Sequence, residues 1–330
     1  MQPGDIEVPG ILDDLASAGE RGISYPAEPS RVRELDLLRD WEFPLLISAG
    51  HVSLRRNDDI LVPAWIQEET PAIAWDRLNV VGFLQTGSTN EEALQRCQRG
   101  SGHGLMVYAE TQTSGRGRLG RSWFSPRGTG IYLSLVFQPG RPIAEWPILA
   151  MAASVALAQS LQELQARSDV ETPRIELKWP NDVLISGKKV AGFLVETTLA
   201  EKRWPAAVLG CGINVSAGAF PADLAQHATA VALETGLAVP RRRLAVRFLT
   251  HLQTGYHLLE QGRHAEILQM WKCFSTMWNE TPVSILEGSR RWNGVSCGLS
   301  ENGALLIRDE AGVVETLLAG DVSVRSENRG

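Results

Sequence analysis

Hydrophobic and polar positions divide the chain into three stretches of different rhythm. In the middle, "NVVGFLQT", "LMVYAET", "GIYLSLVFQ" and "WPAAVLGCGINVS" are short, apolar and β-branched, and predict strands. "RIELKWPNDVLISGKKVAGFLVET" predicts further strands, with a turn at Ser186-Gly187. Between them, "STNEEALQRCQRG" predicts a helix ending at Gly100, and "AEWPILAMAASVALAQSLQELQ" a long apolar one. "RRRLAVRFLTHLQTGYHLLEQ" and "AEILQMWKCF" are later helices. Strands and helices do not alternate cleanly, which predicts an α+β domain with a mixed sheet over residues 76–278. From residue 279 the helical rhythm stops. "TPVSILEG", "RWNGVSCGLS", "GALLIRDE" and "VVETLLAGDVSVR" predict a small β-barrel over 279–330.

The first 75 residues read differently. Ile11–Ala18 predicts a short helix, and "SRVRELDLLRDW" a second, N-capped by Ser30 with Glu34 in its first turn. "EFPLLISAGHVSLR" predicts two strands around Ala49-Gly50. Helix, helix and hairpin outline a winged-helix-like domain, and residues 60–75 read as a linker.

Length and composition narrow the picture. At 330 residues, with 44% hydrophobic content, the chain can form two or three domains. A net charge of −6 argues against a generic nucleic-acid binder. Four cysteines without metal or disulfide spacing, and an acidic N-terminus without a signal-peptide core, point to a reducing, cytoplasmic setting. The longest apolar stretch, "WPILAMAASVALA", is too short to span a bilayer, so no membrane association is expected. The six histidines form no H-E-x-x-H set, and no dedicated metal site is expected.

One stretch demands a chemical reading. In "SGRGRLGRSWFSP", Gly115, Gly117 and Gly120 spell G-x-G-x-x-G, the dinucleotide-binding fingerprint. That fingerprint needs a helix opening at the glycines and an acidic residue about 20 positions later. Here Pro126, Gly128 and Gly130 interrupt any helix, a strand follows, and no acidic residue occurs between Glu110 and Glu145. A strand–loop–strand unit cannot aim a helix N-terminus at pyrophosphate. What remains is a glycine loop carrying Arg116, Arg118 and Arg121, followed by Trp123 and Phe124. Guanidinium forks on a backbone that permits close approach are suited to holding an anion.

Three other stretches carry candidate chemistry. Ser88 followed by Glu91 reads as a capping box, and Ser88, Thr89 and Asn90 offer hydroxyl and amide groups to a polar ligand. "ELKWPNDVLISGKKVAGFLVE" gathers Lys178, Asn181, Asp182, Lys188 and Lys189 around a turn. These suit phosphate or carboxylate binding, with Asp182 able to take a proton or help hold Mg²⁺. "GCGINVS" is a second glycine loop, ending in Asn214, and Gln112 precedes the arginine loop.

Together these stretches resemble the biotin–protein ligase family. The G-R-G-R-x-G-R loop and following tryptophan, the K-W-P-N-D run, the K-x-A-G hairpin (Lys189, Ala191, Gly192), the G-x-G-I-N loop and the S-T-N helix start occur in family order over residues 76–326. The resemblance implies a class II synthetase-like catalytic domain, a C-terminal SH3-like barrel and, as in the ligase/repressor members, an N-terminal winged helix, here degenerate. It also implies a two-step reaction. Biotin's carboxylate attacks the α-phosphate of ATP, giving biotinyl-5′-AMP, and a lysine of a biotin carboxyl carrier domain (of acetyl-CoA carboxylase or a similar carboxylase) then takes the biotinyl group. The substrates are ATP, with Mg²⁺, and biotin. Two anions must meet, and at about 4 Å their repulsion is ~4 kcal/mol at an effective dielectric near 20. Cationic residues can offset it.

By the same resemblance, Ser88, Thr89, Asn90, Gln112, Arg116, Gly117, Arg118, Lys189 and Gly192 contact biotin. Arg121, Trp123, Lys178, Asn181 and Asn214 face the nucleotide. Lys189, Arg118 and Asp182 are the candidate catalytic residues, with Asp182 as base for the acceptor lysine. Some relatives dimerise through a sheet edge, so a homodimer is among the assemblies the resemblance allows.

The N-terminal match to a DNA-binding domain degrades before "LLRDWEFPLLISAGHVSL". Pro26 and Pro29 interrupt the first helix of a helix-turn-helix. Residues 1–75 hold six arginines and no lysine against 14 carboxylates, a net −8 that argues against DNA as a partner. Two other readings stay open. A lipoate or octanoate ligase would share the fold, but its R-R-x-S-G-G-G stretch is absent. A non-catalytic biotin-sensing transcriptional regulator would be expected to lose Arg118 and Lys189, and both are present.

Overall fold

A computed structural model describes residues 4–26, 28–48, 50–70, 78–166, 173–198, 205–216, 218 and 220–324. The expected turn residue Ala49, the 75/76 boundary and the last residues of the C-terminal stretch lie outside these. The N-terminal part contains β1 (Ile6–Glu7), α1 (Ile11–Ala18), β2 (Ile23–Ser24), α2 (Pro29–Asp40), β3 (Leu45–Ser48), β4 (His51–Leu54) and α3 (Pro63–Glu69). The middle runs β5 (Asn79–Thr86), α4 (Thr89–Arg99), β6 (Leu105–Gln112), β7 (Gly130–Phe137), α5 (Ile148–Gln165), β8 (Ile175–Lys178), β9 (Asp182–Ile185), β10 (Lys188–Thr198), β11 (Ala206–Asn214), α6 (Val231–Thr235), α7 (Arg241–Glu260) and α8 (His264–Phe274). The C-terminal part is β12 (Thr281–Glu287), β13 (Arg290–Leu299), β14 (Leu305–Arg308), β15 (Val314–Leu317) and β16 (Asp321–Val324).

The fold is α+β around a mixed sheet. Eight strands lie in the order β1-β5-β6-β7-β11-β10-β9-β8. Only β5 and β6 run parallel, with α4 as the crossover between them. All other neighbours are antiparallel. β6 and β7 are thus an antiparallel strand–loop–strand unit around the arginine loop, as the interrupted helix pattern requires. Ser186 and Gly187 both have positive φ (52° and 75°), the geometry of a tight two-residue hairpin between β9 and β10.

α5 is apolar on nearly every face because it is enclosed. It packs against β8, β9 and β10 on one side and α7 and α8 on the other. The span Ile143–Gln165 is long and apolar enough to cross a membrane by length and composition, yet 72% of its apolar window is buried inside this fold. Residues of β12, β14, β15 and β16 (Val283, Ile285, Leu305, Ile307, Leu317 and Val322) join the same hydrophobic core. The N-terminal part has its own core of Ile11, Leu12, Leu15, Leu35, Leu38, Phe43, Val52, Leu54, Val62 and Trp65, closed by Leu84 of β5.

Two local expectations are corrected, and two short strands are added. Residues 63–69 are a helix rather than a linker. Pro63 opens it with its preset φ, and Pro63, Trp65 and Ile66 are buried. α2 begins at Pro29 for the same reason, with Glu28 as N-cap in place of Ser30. β1 and β2 have two residues each, too short to leave a periodic signal.

Candidate active site

A cavity of about 320 Å³ opens beside the middle of the eight-stranded sheet. Fifteen of the residues singled out above line it: Ser88, Thr89, Asn90, Gln112, Arg116, Gly117, Arg118, Arg121, Trp123, Lys178, Asn181, Asp182, Lys189, Gly192 and Asn214; Lys188, gathered with them at the β9–β10 turn, does not. Their chemistry is graded along its length.

At one end is an amide and hydroxyl row. Ser88, Thr89 and Asn90 are at most 4% exposed at the start of α4. The capping box expected of Ser88 does not form: its side chain makes no cap bond. The carbonyl of Ser88 instead accepts from Glu92 N, and Glu92 is paired to Arg96 at 2.7 Å. The helix start is held from outside. Gln112 Oε1 accepts from Thr89 N (2.9 Å) and Thr89 Oγ1 (3.1 Å), while the orientation of the Gln112 amide is fixed by its Nε2 donating to Ser125 Oγ (2.8 Å). Ser134 of β7 donates to Thr89 Oγ1 (2.8 Å) and Asn90 Oδ1 (2.6 Å).

The middle is cationic. Ladder pairing between β9 and β10 shifts between Lys189 and Ala191, an irregularity that turns Lys189 towards the cavity while Val190 and Ala191 enter the core. Lys189 Nζ lies 2.7 Å from Asp182 Oδ1 and 5.2 Å from the centroid of the Trp123 ring. Arg118 occupies the one 3₁₀ turn of the arginine loop and donates Nη1 to Asn181 Oδ1 at 3.0 Å. Burial lowers its pKa, opposed by Asp182 and Asp321. The guanidinium keeps its charge, as arginine does in proteins. The loop folds back on itself through Gly117 N to Arg121 O (2.7 Å) and Trp123 N to Gly115 O (2.8 Å). At its tip, Leu119 has φ 56° and is 60% exposed.

Trp123, whose ring faces Lys189, has its Nε1 buried without a hydrogen-bond partner, an orphaned donor in the cavity wall. Lys178 Nζ and Arg121 Nη2 both reach Asp321, at 3.2 and 2.8 Å. Burial raises the Asp321 carboxyl pKa, but these two cations outweigh it and hold it below its ordinary value. Trp179 Nε1 donates to Gly303 O at 2.9 Å, tying the K-W-P-N-D run to the C-terminal strands. Asn214 is turned by its Nδ2 bond to Thr229 O at 3.1 Å.

The glycines of "LGCGIN" are explained by space. A Cβ on Gly210 would overlap Asn90 Oδ1, and one on Gly212 would overlap the Trp123 indole. One on Gly192 would press against Lys189 Nζ at 2.8 Å.

Sequence reading missed Ser134, Glu196 and Asp321. Ser134 and Glu196 each left a trace, a polar residue inside an otherwise apolar strand ("IYLSLVF", "GFLVETT"). Asp321 left none, because it arrives from a strand 143 positions beyond Lys178.

Known proteins match this arrangement. The sequence model of the Biotin/lipoate A/B protein ligase family covers residues 83–214, which span the whole row from Ser88 to Asn214. The chain is 30% identical over 296 residues to the bifunctional ligase/repressor BirA of Salmonella typhimurium, covering 89% of this chain and 88% of that one. The chain belongs to the biotin–protein ligase family. It is also 36% identical to the biotin--[acetyl-CoA-carboxylase] ligase of Mycobacterium tuberculosis, over 75% of this chain and 89% of that one. The solved biotin protein ligase of Aquifex aeolicus in complex with biotin and ATP superposes with a TM-score of 0.61 at 27% identity, covering 75% of this chain and 98% of that one.

Proposed function

We propose that this family member is an ATP-dependent biotin–protein ligase. It adenylates biotin to biotinyl-5′-AMP and transfers the biotinyl group to a lysine of a carboxylase's carrier domain. The observation that carries the reading is the set of groups that line one cavity: a neutral amide and hydroxyl row, a cationic centre beside an unpartnered indole donor, and two further cations held on Asp321. Biotin's ureido and carboxylate groups fit the first two, and a nucleotide the third.

In the first step a carboxylate oxygen of biotin bonds to the α-phosphorus, and pyrophosphate leaves with the electron pair of the broken P–O bond. Arg116, Arg118 and Lys189 offset the repulsion of the two anions. In the second step the acceptor amine attacks the acyl carbon and AMP leaves. The amine must first lose a proton, since its ordinary pKa is ~10.4. Asp182 is our candidate base. Its bond to Lys189 gives it a further task, that of fixing the lysine's ammonium. Among the described residues no group of three or more His, Cys, Asp or Glu side chains could hold a metal. The carboxylates that line the cavity, Asp182 and Asp321, are already ion-paired. Mg²⁺ therefore fits as a counter-ion carried by the nucleotide's phosphates, the usual habit of that ion.

We read residues 279–330 as an SH3-like barrel and residues 1–75 as a degenerate winged-helix-like domain, with the catalytic domain between. The five strands β15-β14-β13-β12-β16 and the pairing β2-β4-β3 beside α1 and α2 support this. The local group Arg31, Arg33 and Arg39 is the candidate face for DNA, and two of its members are engaged by carboxylates, Arg31 with Asp14 (2.5 Å) and Arg39 with Asp36 (2.7 Å). We expect no specific DNA binding. A mobility shift on the promoter of a biotin-synthesis operon that weakens steeply with salt would overturn that.

The decisive experiment is pyrophosphate release with ATP and Mg²⁺, comparing biotin with lipoate on the unmodified chain and on Lys189→Ala. We expect release with biotin only, reduced about 10²–10³-fold in the variant. Equal or greater release with lipoate would favour the lipoate reading. No release with either acid would favour a biotin sensor.

A further inference from the structure

Glu196 lies on β10, on the side of the cavity that carries the amide and hydroxyl row. Its carboxylate accepts hydrogen bonds from two elements that are far apart in sequence. Arg116 Nη2, in the arginine loop, reaches Oε1 at 2.8 Å and Oε2 at 2.7 Å. Asn90 Nδ2, at the start of α4, reaches Oε2 at 2.8 Å. The other side of the Asn90 amide, Oδ1, accepts from Ser134 Oγ at 2.6 Å. With both sides of the amide engaged, its orientation is fixed.

The ends of the loop are tied by its backbone. Thr113 N donates to Thr86 O (3.0 Å), Ser114 N to Gly87 O (2.9 Å) and Trp123 N to Gly115 O (2.8 Å). Beyond those ties, three side chains anchor the loop: Arg116 to Glu196, Arg118 to Asn181 and Arg121 to Asp321. The first of these joins the loop to the row that begins α4. Charge-assisted bonds of this length are about twice as strong as neutral ones. The Glu196 side chain is only 29% exposed, so solvent weakens them less than at an open surface.

We propose that Glu196 is a positioning residue for the arginine loop and for the Asn90 amide. One carboxylate sets which way the amide points and holds Arg116 over the cavity before ligand arrives. The inference rests on the biotin-ligase reading for its kinetic consequence, but not for its structural one.

The test uses the full chain with Glu196→Gln, which keeps the shape and removes the charge, and Glu196→Asp, which keeps the charge and shortens the reach. Two quantities are read. The first is the rate of trypsin cleavage after Arg116, Arg118 and Arg121 in the ligand-free protein. The second is the KM for biotin in ATP–pyrophosphate exchange. For Glu196→Gln we expect loop cleavage about ten-fold faster, and a KM about ten-fold higher with kcat changed less than about two-fold, the pattern of a lost binding contact. Glu196→Asp should fall between, and serves as the test if the Gln variant does not fold. In an Arg116→Gln background, Glu196→Gln should not further accelerate cleavage after Arg118 and Arg121. A folded variant with unchanged cleavage and unchanged KM would overturn the proposal, as would additive effects in the double variant. If the unmodified chain shows no biotin-dependent exchange, the functional reading fails, while loop cleavage still decides the role of Glu196.

Discussion

Two arginine clusters in this protein look alike in sequence and behave differently in the fold. Arg116, Arg118 and Arg121 sit in a glycine loop, and Arg241, Arg242 and Arg243 open α7. Arg116 and Arg121 are 40% and 62% exposed as side chains, and each meets one carboxylate at the rim of the cavity. Arg241 and Arg242 are 6% and 1% exposed, and only Arg243, at 63%, stays at the surface. Arg241 pairs with Glu110 at 2.7 Å and Asp59 at 3.5 Å. Arg242 pairs with Asp58 at 2.6 Å and Glu69 at 3.3 Å, and stacks 4.7 Å above the Trp65 ring. Burial works against the Arg241 charge, but Glu110 outweighs it and leaves the pKa raised. The second cluster is a clamp between α7 and the segment around α3. The lesson is that a run of arginines can serve an anion only where it stands at a cavity rim with part of each guanidinium left open to a ligand. Residues enclosed with their counter-charges have no such opening.

That contrast can be broken at its strongest point. Glu110→Ala leaves the buried Arg241 charge short of its main partner, and should destabilise the fold by about 3–5 kcal/mol in chemical denaturation. A loss below about 1 kcal/mol would put this bridge in the same class as the loop pairs. A second test sharpens the cavity side. Gly212→Ala forces a methyl group against the Trp123 indole, and overpacking of this kind costs about 1–3 kcal/mol. Because Trp123 also lines the cavity, KM for ATP should rise in the same variant. A stability loss with unchanged KM would remove Trp123 from the nucleotide side.

The third test is electrostatic and weaker. The Asp321 pKa is depressed in the folded state, so the stability it contributes is present above the ordinary carboxylate value near 4 and is lost as pH falls through the depressed one. Thermal stability of Asp321→Asn should therefore run parallel to that of the unmodified chain between about pH 5 and 8, and lose less on acidification below about pH 4. An unchanged acid limb would mean that the bridges to Arg121 and Lys178 contribute nothing. The smallest effect is expected at Arg127, which lies 4.6 Å from the Trp41 ring centroid and 3.3 Å from the largely exposed Glu42. Arg127→Ala should cost less than about 1 kcal/mol. A larger loss would mark a second clamp between the N-terminal part and the loop region.

Much of this was legible in the chain itself, for local reasons. Period-two strands, glycine turns such as Ser186-Gly187, and the interruption of any helix after Gly120 follow from backbone preferences that act over a few residues. So does the rejection of the dinucleotide fingerprint. The candidate ligand residues were found because their types and spacing carry chemistry, and all fifteen line one cavity. Other features needed the tertiary structure. Ser88 starts its helix without the capping box its neighbours spell, because Gln112 and Ser134 hold that end from other strands. The supposed linker is helical because Trp65 and Ile66 have a core to enter. Asp321, Glu196 and the buried partners of Arg241 and Arg242 come from distant parts of the chain. A charge's meaning depends on which opposite charge faces it and how much water lies between them. Sequence fixes which charges exist, and folding alone sets their distances and their burial.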